Sequence, residues 1–248
     1  MIKLIADLHT HTNVSHHAYS SLEEMVQGAK RADLRAIAIT NHGPSMVDGA
    51  HYWHFTNLDI VPRKINGVCV LRGIEMNIMP DGSVDPIDEK YLKKLDYVIA
   101  SFHEPCFPSS DVQSHTKALE SILRNPYITT FGHLGNQNFA FDQEKIISQC
   151  NKFGKIVEIN NNSLAIRKGS KENCRSIAKL CMKYNVPVVV TSDAHISFMV
   201  GKTDSALNML NDIDFPENLI INANFDRLND YFKKIKNIDL NSFEEDKP

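Results

Sequence analysis

Along this chain short apolar runs alternate with amphipathic stretches, and nearly every apolar run ends in a polar loop. The first run, residues 2–8, alternates as a half-buried strand does, so that Ile5, Asp7, His9 and His11 share one parity. Ser21-Leu22-Glu23-Glu24 has the form of a capping box and starts a helix with Leu22, Val26 and Ala29 on one face. A second strand over 36–40 ends at Asn41-His42-Gly43-Pro44, where the Gly-Pro turn restricts the direction of His42. Trp53, Phe55, Leu58 and Val61 predict the inner face of a helix leading to Pro62. Strand three covers 68–75 and closes on Glu75, while the Asp-, Gly- and Pro-rich stretch 77–88 reads as a surface loop. Strands four (97–101), five (127–131), six (155–160) and seven (186–191) follow, separated by helices over 114–123, 142–153 and 173–184. Two further helices are expected around 206–210 and over 225–235, and the tail from 242 to 248 reads as frayed.

Strands alternating with helices in this way predict an α/β fold, and no linker divides residues 1–248 into separate domains. Six of the seven predicted strands deliver histidine or acid at their carboxyl ends. That distribution suits a closed or nearly closed barrel with its chemistry on one rim, whereas an open sheet gathers its ligands at a single crevice.

Composition narrows the picture. A hydrophobic fraction of 42% argues for a folded core, and a net charge of -3 gives no general attraction to nucleic acid or anionic membrane. The five cysteines are scattered and never spaced as C-x-x-C, which reads as a reducing compartment without a thiolate metal site. The apolar opening is broken by Asp7 and His9 before a secretory segment is complete, and no run is long enough to span a bilayer, so the expected location is cytoplasmic.

The strand-end residues are His9, His11 and His17, His42, Glu75, His103, His133, and Asp193 with His195. One histidine at a strand end is ordinarily a polar loop residue, but seven at the same rim point to a shared cause. Imidazole and carboxylate without thiolate suit zinc, manganese or iron rather than magnesium or calcium. Ligand sets of three or four would accommodate two to three ions, with Glu75 central enough to bridge two. His16, His51, His54 and His115 are left over, and only His16 competes with a neighbour for a ligand role.

Taken together, the D-x-H-x-H opening at Asp7, the Thr40-Asn41-His42-Gly43 loop, the late Glu75, His103-Glu104-Pro105, Gly132-His133-Leu134-Gly135-Asn136 and Asp193-Ala194-His195 resemble the PHP family of metal-dependent phosphoesterases, named for polymerase and histidinol phosphatase. His17-Ala18-Tyr19-Ser20 and Arg167-Lys168-Gly169-Ser170 resemble a branch of small stand-alone bacterial PHP phosphatases. The resemblance covers essentially the whole chain and implies a distorted, TIM-barrel-like (β/α)7 barrel with a trinuclear site. It assigns His9, His11, Glu75 and Asp193 to one ion, Glu75, His103 and His133 to a second, and His17, His42 and His195 to a third. It also selects His17 over His16. Asn41 stands where many relatives have Asp, and Leu134 where the close branch has proline; loss of a carboxylate beside His42 is expected to weaken one ion.

Three divalent ions set among neutral imidazoles and two carboxylates leave about +4 at the site, a local attractor for a phosphate monoester dianion. In-line attack on phosphorus by a metal-bridging hydroxide is the reaction expected of such a site. Glu75, Asp193 and His195 would carry it, and Arg167 is the best candidate for a phosphate clamp, a merely exposed arginine beside Lys168 being the alternative. Asp7 and Glu158 are candidates for orienting ligands or for buried polar roles, Asn160 and Asn161 for orienting substrate or shaping a turn, and Trp53 and Phe55 for pocket wall or core. The expected partner is a small anionic phosphate ester, without stable nucleic-acid binding or membrane association. Competing functions are a phosphodiesterase or 3′-5′ exonuclease, disfavoured by the lack of a basic, aromatic track, and a non-enzymatic metal-bound binding or sensory module.

Overall fold

The computed structural model describes residues 2–245. Its strands are β1 (Ala6–Thr10), β2 (Ala36–Ile39), β3 (Lys64–Ile65), β4 (Val68–Asn77), β5 (Tyr97–Ser101), β6 (Thr130–Phe131), β7 (Ile156–Asn160) and β8 (Val188–Thr191). Seven of them pair in parallel in the order β1-β2-β4-β5-β6-β7-β8, and the two-residue β3 adds antiparallel to β4. Helices over Leu22–Arg31, Val112–Arg124, Ser170–Tyr184 and shorter pieces lie between the strands. The result is a distorted, nearly closed, TIM-barrel-like fold.

The last gap, between β1 and β8, is filled by a side chain. Asn222 Nδ2 donates to Ala6 O at 2.8 Å and to Val190 O at 2.7 Å, while its Oδ1 accepts from Val190 N–H at 3.1 Å. At the carboxyl rim the two edges also meet directly, where His11 N–H donates to Ala194 O at 2.8 Å and Thr10 bridges to Ala194. Small residues at the amino ends of the strands, Ala6, Ala36 and Ala38, leave room for Tyr97, Ile99 and the inner face of the helix Phe225–Lys236. Phe225, Leu228 and Phe232 pack there, so the interior beneath the rim is filled by apolar side chains.

Several expectations are corrected. β1 begins at Ala6 rather than residue 2, and its register with β2 shifts between Asp7 and Thr10. The shift breaks the simple alternation: Leu8 packs in the interior cluster, its neighbour His9 turns to the rim site, and Asp7 instead accepts hydrogen bonds from Ser192 and Gly201. The helix expected around Trp53 is only Tyr52–Thr56, followed by a 3-10 turn over Leu58–Ile60. So short a segment buries Phe55 and Leu58 but leaves Trp53 72% exposed. The helix expected over 142–153 is split into Gln143–Ile147 and a 3-10 turn at Asn151–Phe153. β6 is only two residues long, and just before it Thr129 meets Val98 through both its backbone N–H, which donates to Val98 O at 3.0 Å, and its Oγ1. Residues 246–248 of the expected frayed tail lie outside the described residues, while Leu240–Ser242 forms a 3-10 turn and Glu245 accepts from Gly67 N–H at 2.9 Å. No helix among the described residues is long and apolar enough to cross a membrane.

Candidate metal centre

All nine strand-end candidates converge at the carboxyl rim. Glu75, at the end of the long β4, is fully buried and central: His133 Nε2 lies 2.9 Å and His103 Nε2 3.3 Å from its Oε1, while His42 Nδ1 lies 2.8 Å and His9 Nε2 3.3 Å from its Oε2. Asp193 Oδ1 sits 3.3 Å from His11 Nε2 and 3.6 Å from His9 Nε2. His17 Nε2 lies 3.3 Å from His42 Nε2 and 2.9 Å from His195 Nε2. His16, by contrast, is exposed and meets this region only through its backbone, which bonds Asp48 O.

Three groups of donor atoms each fall within 4.8 Å of one another: His9, His11 and Asp193; His42, Glu75 and His103; and His11, His42 and His195. His17 and His133 stand outside these tight groups but each contacts a member. The sets overlap the three expected from the sequence, with His11 also drawn toward His42 and His195.

Outer hydrogen bonds fix which nitrogen faces inward in four of the rings. His9 Nδ1 meets Glu158 Oε1 at 2.5 Å, His17 Nδ1 meets Asp48 Oδ2 at 2.5 Å, His103 Nδ1 meets Asn77 Oδ1 at 2.7 Å and His195 Nδ1 meets Asp193 O at 3.0 Å. Each of these oxygens can only accept, so each Nδ1 carries a hydrogen and each neutral ring presents its Nε2 lone pair to the centre. Nε2 of His17 and of His195 would then face each other at 2.9 Å, lone pair to lone pair. Such a contact is repulsive unless a cation lies beside it. Moreover, His9 Nε2, His11 Nε2, His42 Nδ1, His103 Nε2 and Glu75 Oε2 are all buried without a hydrogen-bond partner among the described residues. Buried polar atoms rarely stay unsatisfied, and their convergence is the signature of a metal centre.

The electrostatics agree. Burial alone would push Glu75 up, but the imidazoles of His9, His103 and His42 hold its carboxyl well below the usual range. Asp193 is likewise held down against burial by His9, His11 and the Arg167 guanidinium. Burial disfavours charge on His9, yet Glu158, Glu75 and Asp193 raise it well above an ordinary imidazole. Burial, His42 and His195 drive His11 well below. A field that favours a proton on His9 favours a cation among these rings.

Arg167 lines the same cavity as His17, His42, His103 and His195. Its Nη1 donates to Ser163 Oγ at 2.6 Å and to Asp193 Oδ2 at 3.4 Å, so it is a mostly buried part of the site rather than a loose surface arginine. Asn160 Nδ2 also donates to Asp193 Oδ2, at 3.1 Å. Asn161 Oδ1 instead accepts from Ala206 N–H at 2.9 Å, away from the donor atoms. Asn41 does not touch the His42 ring: its Oδ1 accepts from Thr12 N–H at 2.8 Å and from Ser15 Oγ at 3.3 Å, tying down the loop that leads to His17. Ser15 Oγ in turn accepts from His42 N–H at 3.2 Å, so Asn41 supports the His42 backbone through Ser15. Leu134 is buried in the main core cluster.

Three supporting residues were missed in the sequence. Asn77 shares parity with Glu75 on β4 and orients His103, a signal that strand alternation offered. Asp48 orients His17 from a loop with no local pattern to mark it. Asp85, within the supposed surface loop, is buried, accepting from Ser45 N–H at 2.7 Å and Asn77 N–H at 2.5 Å, and Gly43 leaves the space its carboxylate fills. It therefore braces the segments carrying His42 and His103 together.

A family profile described as PHP domain matches residues 7–162. The chain belongs to that family. The PHP match takes in every rim residue up to His133, and the remaining pair, Asp193 and His195, is brought to the same place by β8. A probable phosphatase of Acetivibrio thermocellus is 40% identical over 236 residues, covering 95% of this chain and 98% of that protein. A probable phosphatase of a Thermoanaerobacter species is 44% identical over 238 residues, covering 95% and 97% respectively. Among solved structures, the histidinol phosphate phosphatase of Lactococcus lactis, crystallised with zinc, L-histidinol and phosphate, superposes with a TM-score of 0.60 at 17% identity, covering 87% of this chain and 95% of that one. That last likeness speaks to the fold.

Proposed function

We propose that residues 1–248 act as one PHP-type barrel domain, a metal-dependent phosphatase hydrolysing phosphate monoesters. The observation that carries this reading is the set of buried imidazole nitrogens that converge unpartnered on Glu75 and Asp193, with the His9 and His103 rings oriented from behind by Glu158 and Asn77. His9, His11, Glu75 and Asp193 would hold one ion, Glu75, His103 and His133 a second, and His17, His42 and His195 a third. Zinc suits these donors, with manganese or iron as alternatives. Divalent ions held there supply Lewis-acid charge and lower the pKa of bound water.

The chain's own groups do the rest. Hydrolysis consumes one water, breaks the bond between phosphorus and the leaving-group oxygen, and releases an alcohol and inorganic phosphate. Arg167, already turned into the cavity beside Asp193, would hold a phosphoryl oxygen through its guanidinium. Ser163, bonded to Arg167 at 2.6 Å and to Asn160 Oδ1 at 2.9 Å, sets the direction of that guanidinium. Glu75, Asp193, His195 and Arg167 are therefore the residues assigned to the reaction. The names of the curated relatives, at 40% and 44% identity over nearly the whole chain, support the same activity.

The test is elemental analysis of gently purified protein, followed by chelation and reconstitution with zinc, manganese or iron. Activity is read on p-nitrophenyl phosphate, on its bis-ester and on a labelled single-stranded oligonucleotide. Hydrolysis of the monoester that disappears on chelation and returns with metal is expected. Preference for the diester or the oligonucleotide, or no turnover at full metal occupancy, would overturn the proposal.

A further inference from the structure

The mouth of the rim cavity has a composition unlike its floor. The floor is imidazole, carboxylate and guanidinium, but Met46 and Ile166 line the same cavity of about 260 Å³. Ile166 is 64% exposed, next to Arg167 in sequence. Of the seven large hydrophobic side chains exposed among the described residues, Ile166 is the one that lines this cavity. An exposed apolar side chain at the mouth of a polar cavity marks a surface that meets a ligand.

Charge points the same way. Arg167 is the one fixed cation lining the cavity, and it is already engaged with Asp193. Asp48 stands behind His17 as a further negative group. A second phosphate on the substrate would find no further cation among the side chains that line the cavity and would meet Met46 and Ile166 there.

Resting on the phosphatase reading, we infer that Met46 and Ile166 form a leaving-group subsite that selects monoesters of compact apolar or aromatic alcohols and disfavours nucleoside polyphosphates. The phosphate enters the cage, and the organic part packs on the aliphatic wall. An apolar contact of this size contributes about a tenfold preference.

The experiment compares kcat/KM of the metal-loaded protein for phenyl phosphate, methyl phosphate and ADP, together with the Kd of phenylphosphonate and methylphosphonate by calorimetry. We expect phenylphosphonate to bind about tenfold more tightly than methylphosphonate, kcat/KM to favour phenyl phosphate by at least as much because phenoxide also leaves more readily, and ADP to be the poorest substrate. In Ile166→Asp the phenyl-to-methyl ratio of Kd should fall toward one, and in Ile166→Leu it should be retained; metal content and thermal midpoint confirm that the variants fold. An unchanged ratio in active, folded Ile166→Asp, or ADP as the preferred substrate, overturns the subsite and leaves the phosphatase reading standing. Failure of the metal-loaded protein to hydrolyse any monoester overturns that reading itself, and the subsite with it.

Discussion

Glu158 Oε1 lies 2.5 Å from His9 Nδ1, and both side chains are buried. The same carboxylate accepts His133 N–H at 2.5 Å through Oε2 and Thr191 Oγ1–H at 2.6 Å through Oε1. One acid on β7 thereby fixes a ring on β1 and a backbone turn after β6. That turn needs holding, because His133 has φ of 24°, a region that L-residues avoid. Glu158→Gln keeps the volume but loses the charge behind His9. We expect metal affinity to fall about 10–100-fold, as for other residues that orient ligands. Competition with a chromophoric chelator measures it, and wild-type affinity would show that the carboxylate is dispensable.

Glu75 and His17 occupy opposite ends of the scale of importance. Glu75 is fully buried among four imidazoles, whereas the His17 side chain is 44% exposed. Glu75→Gln is expected to lower kcat by about a thousandfold or more and to lower metal stoichiometry, while His17→Ala costs about 10–100-fold. If both variants keep wild-type phosphatase activity and metal content, the ligand assignment fails.

Asp85 supports the centre without reaching it. Its removal would leave the buried N–H of Asn77 and that of Ser45 without their acceptor and would fill no space beside Gly43. Asp85→Ala should destabilise the fold by about 1–3 kcal/mol, measured by urea unfolding. It should also weaken metal binding, since Asn77 holds His103.

Lys155 provides a pH test away from the metals. Its buried ammonium donates to Asn125 O and Ile128 O, each at 2.5 Å, and burial pushes its pKa down to about 8. In the unfolded chain it titrates near the usual value of about 10.4. Between about pH 8 and pH 10.4 the unfolded state therefore binds more protons, so this residue makes stability rise with pH there, by at most about 1.4 kcal/mol per unit. Urea midpoints of wild type and Lys155→Met across that window should diverge in slope, with the positive contribution missing from the variant.

Much of this was legible in the sequence because parallel strands are buried on both sides and end abruptly, so polar residues following an apolar run mark the rim. His42, Glu75, His103, His133 and Asp193 are all of that kind. What escaped depends on long-range contact or on local irregularity. The register shift after Asp7 leaves no mark in the alternation of residues, so the shared parity of Asp7 with His9 misled. Asp48 and Asp85 look like ordinary loop acids, and only the packing of distant segments gives them His17 and Asn77 as partners. Trp53 has helical spacing from its apolar neighbours, but a five-residue helix cannot bury every position that spacing selects.

Asn222 joins two strand edges through one amide, so the cylinder has a seam closed largely by side chains rather than by a continuous backbone ladder. His9 and His11 stand on one side of that seam, and Asp193 and His195 on the other. An ion gripped from both sides would act as a clasp, fastening the start of the chain to its later part. Amides flanking Asn222 should therefore exchange fastest in stripped protein and slow most when metal is restored, making loading of the centre a mechanical event for the whole barrel.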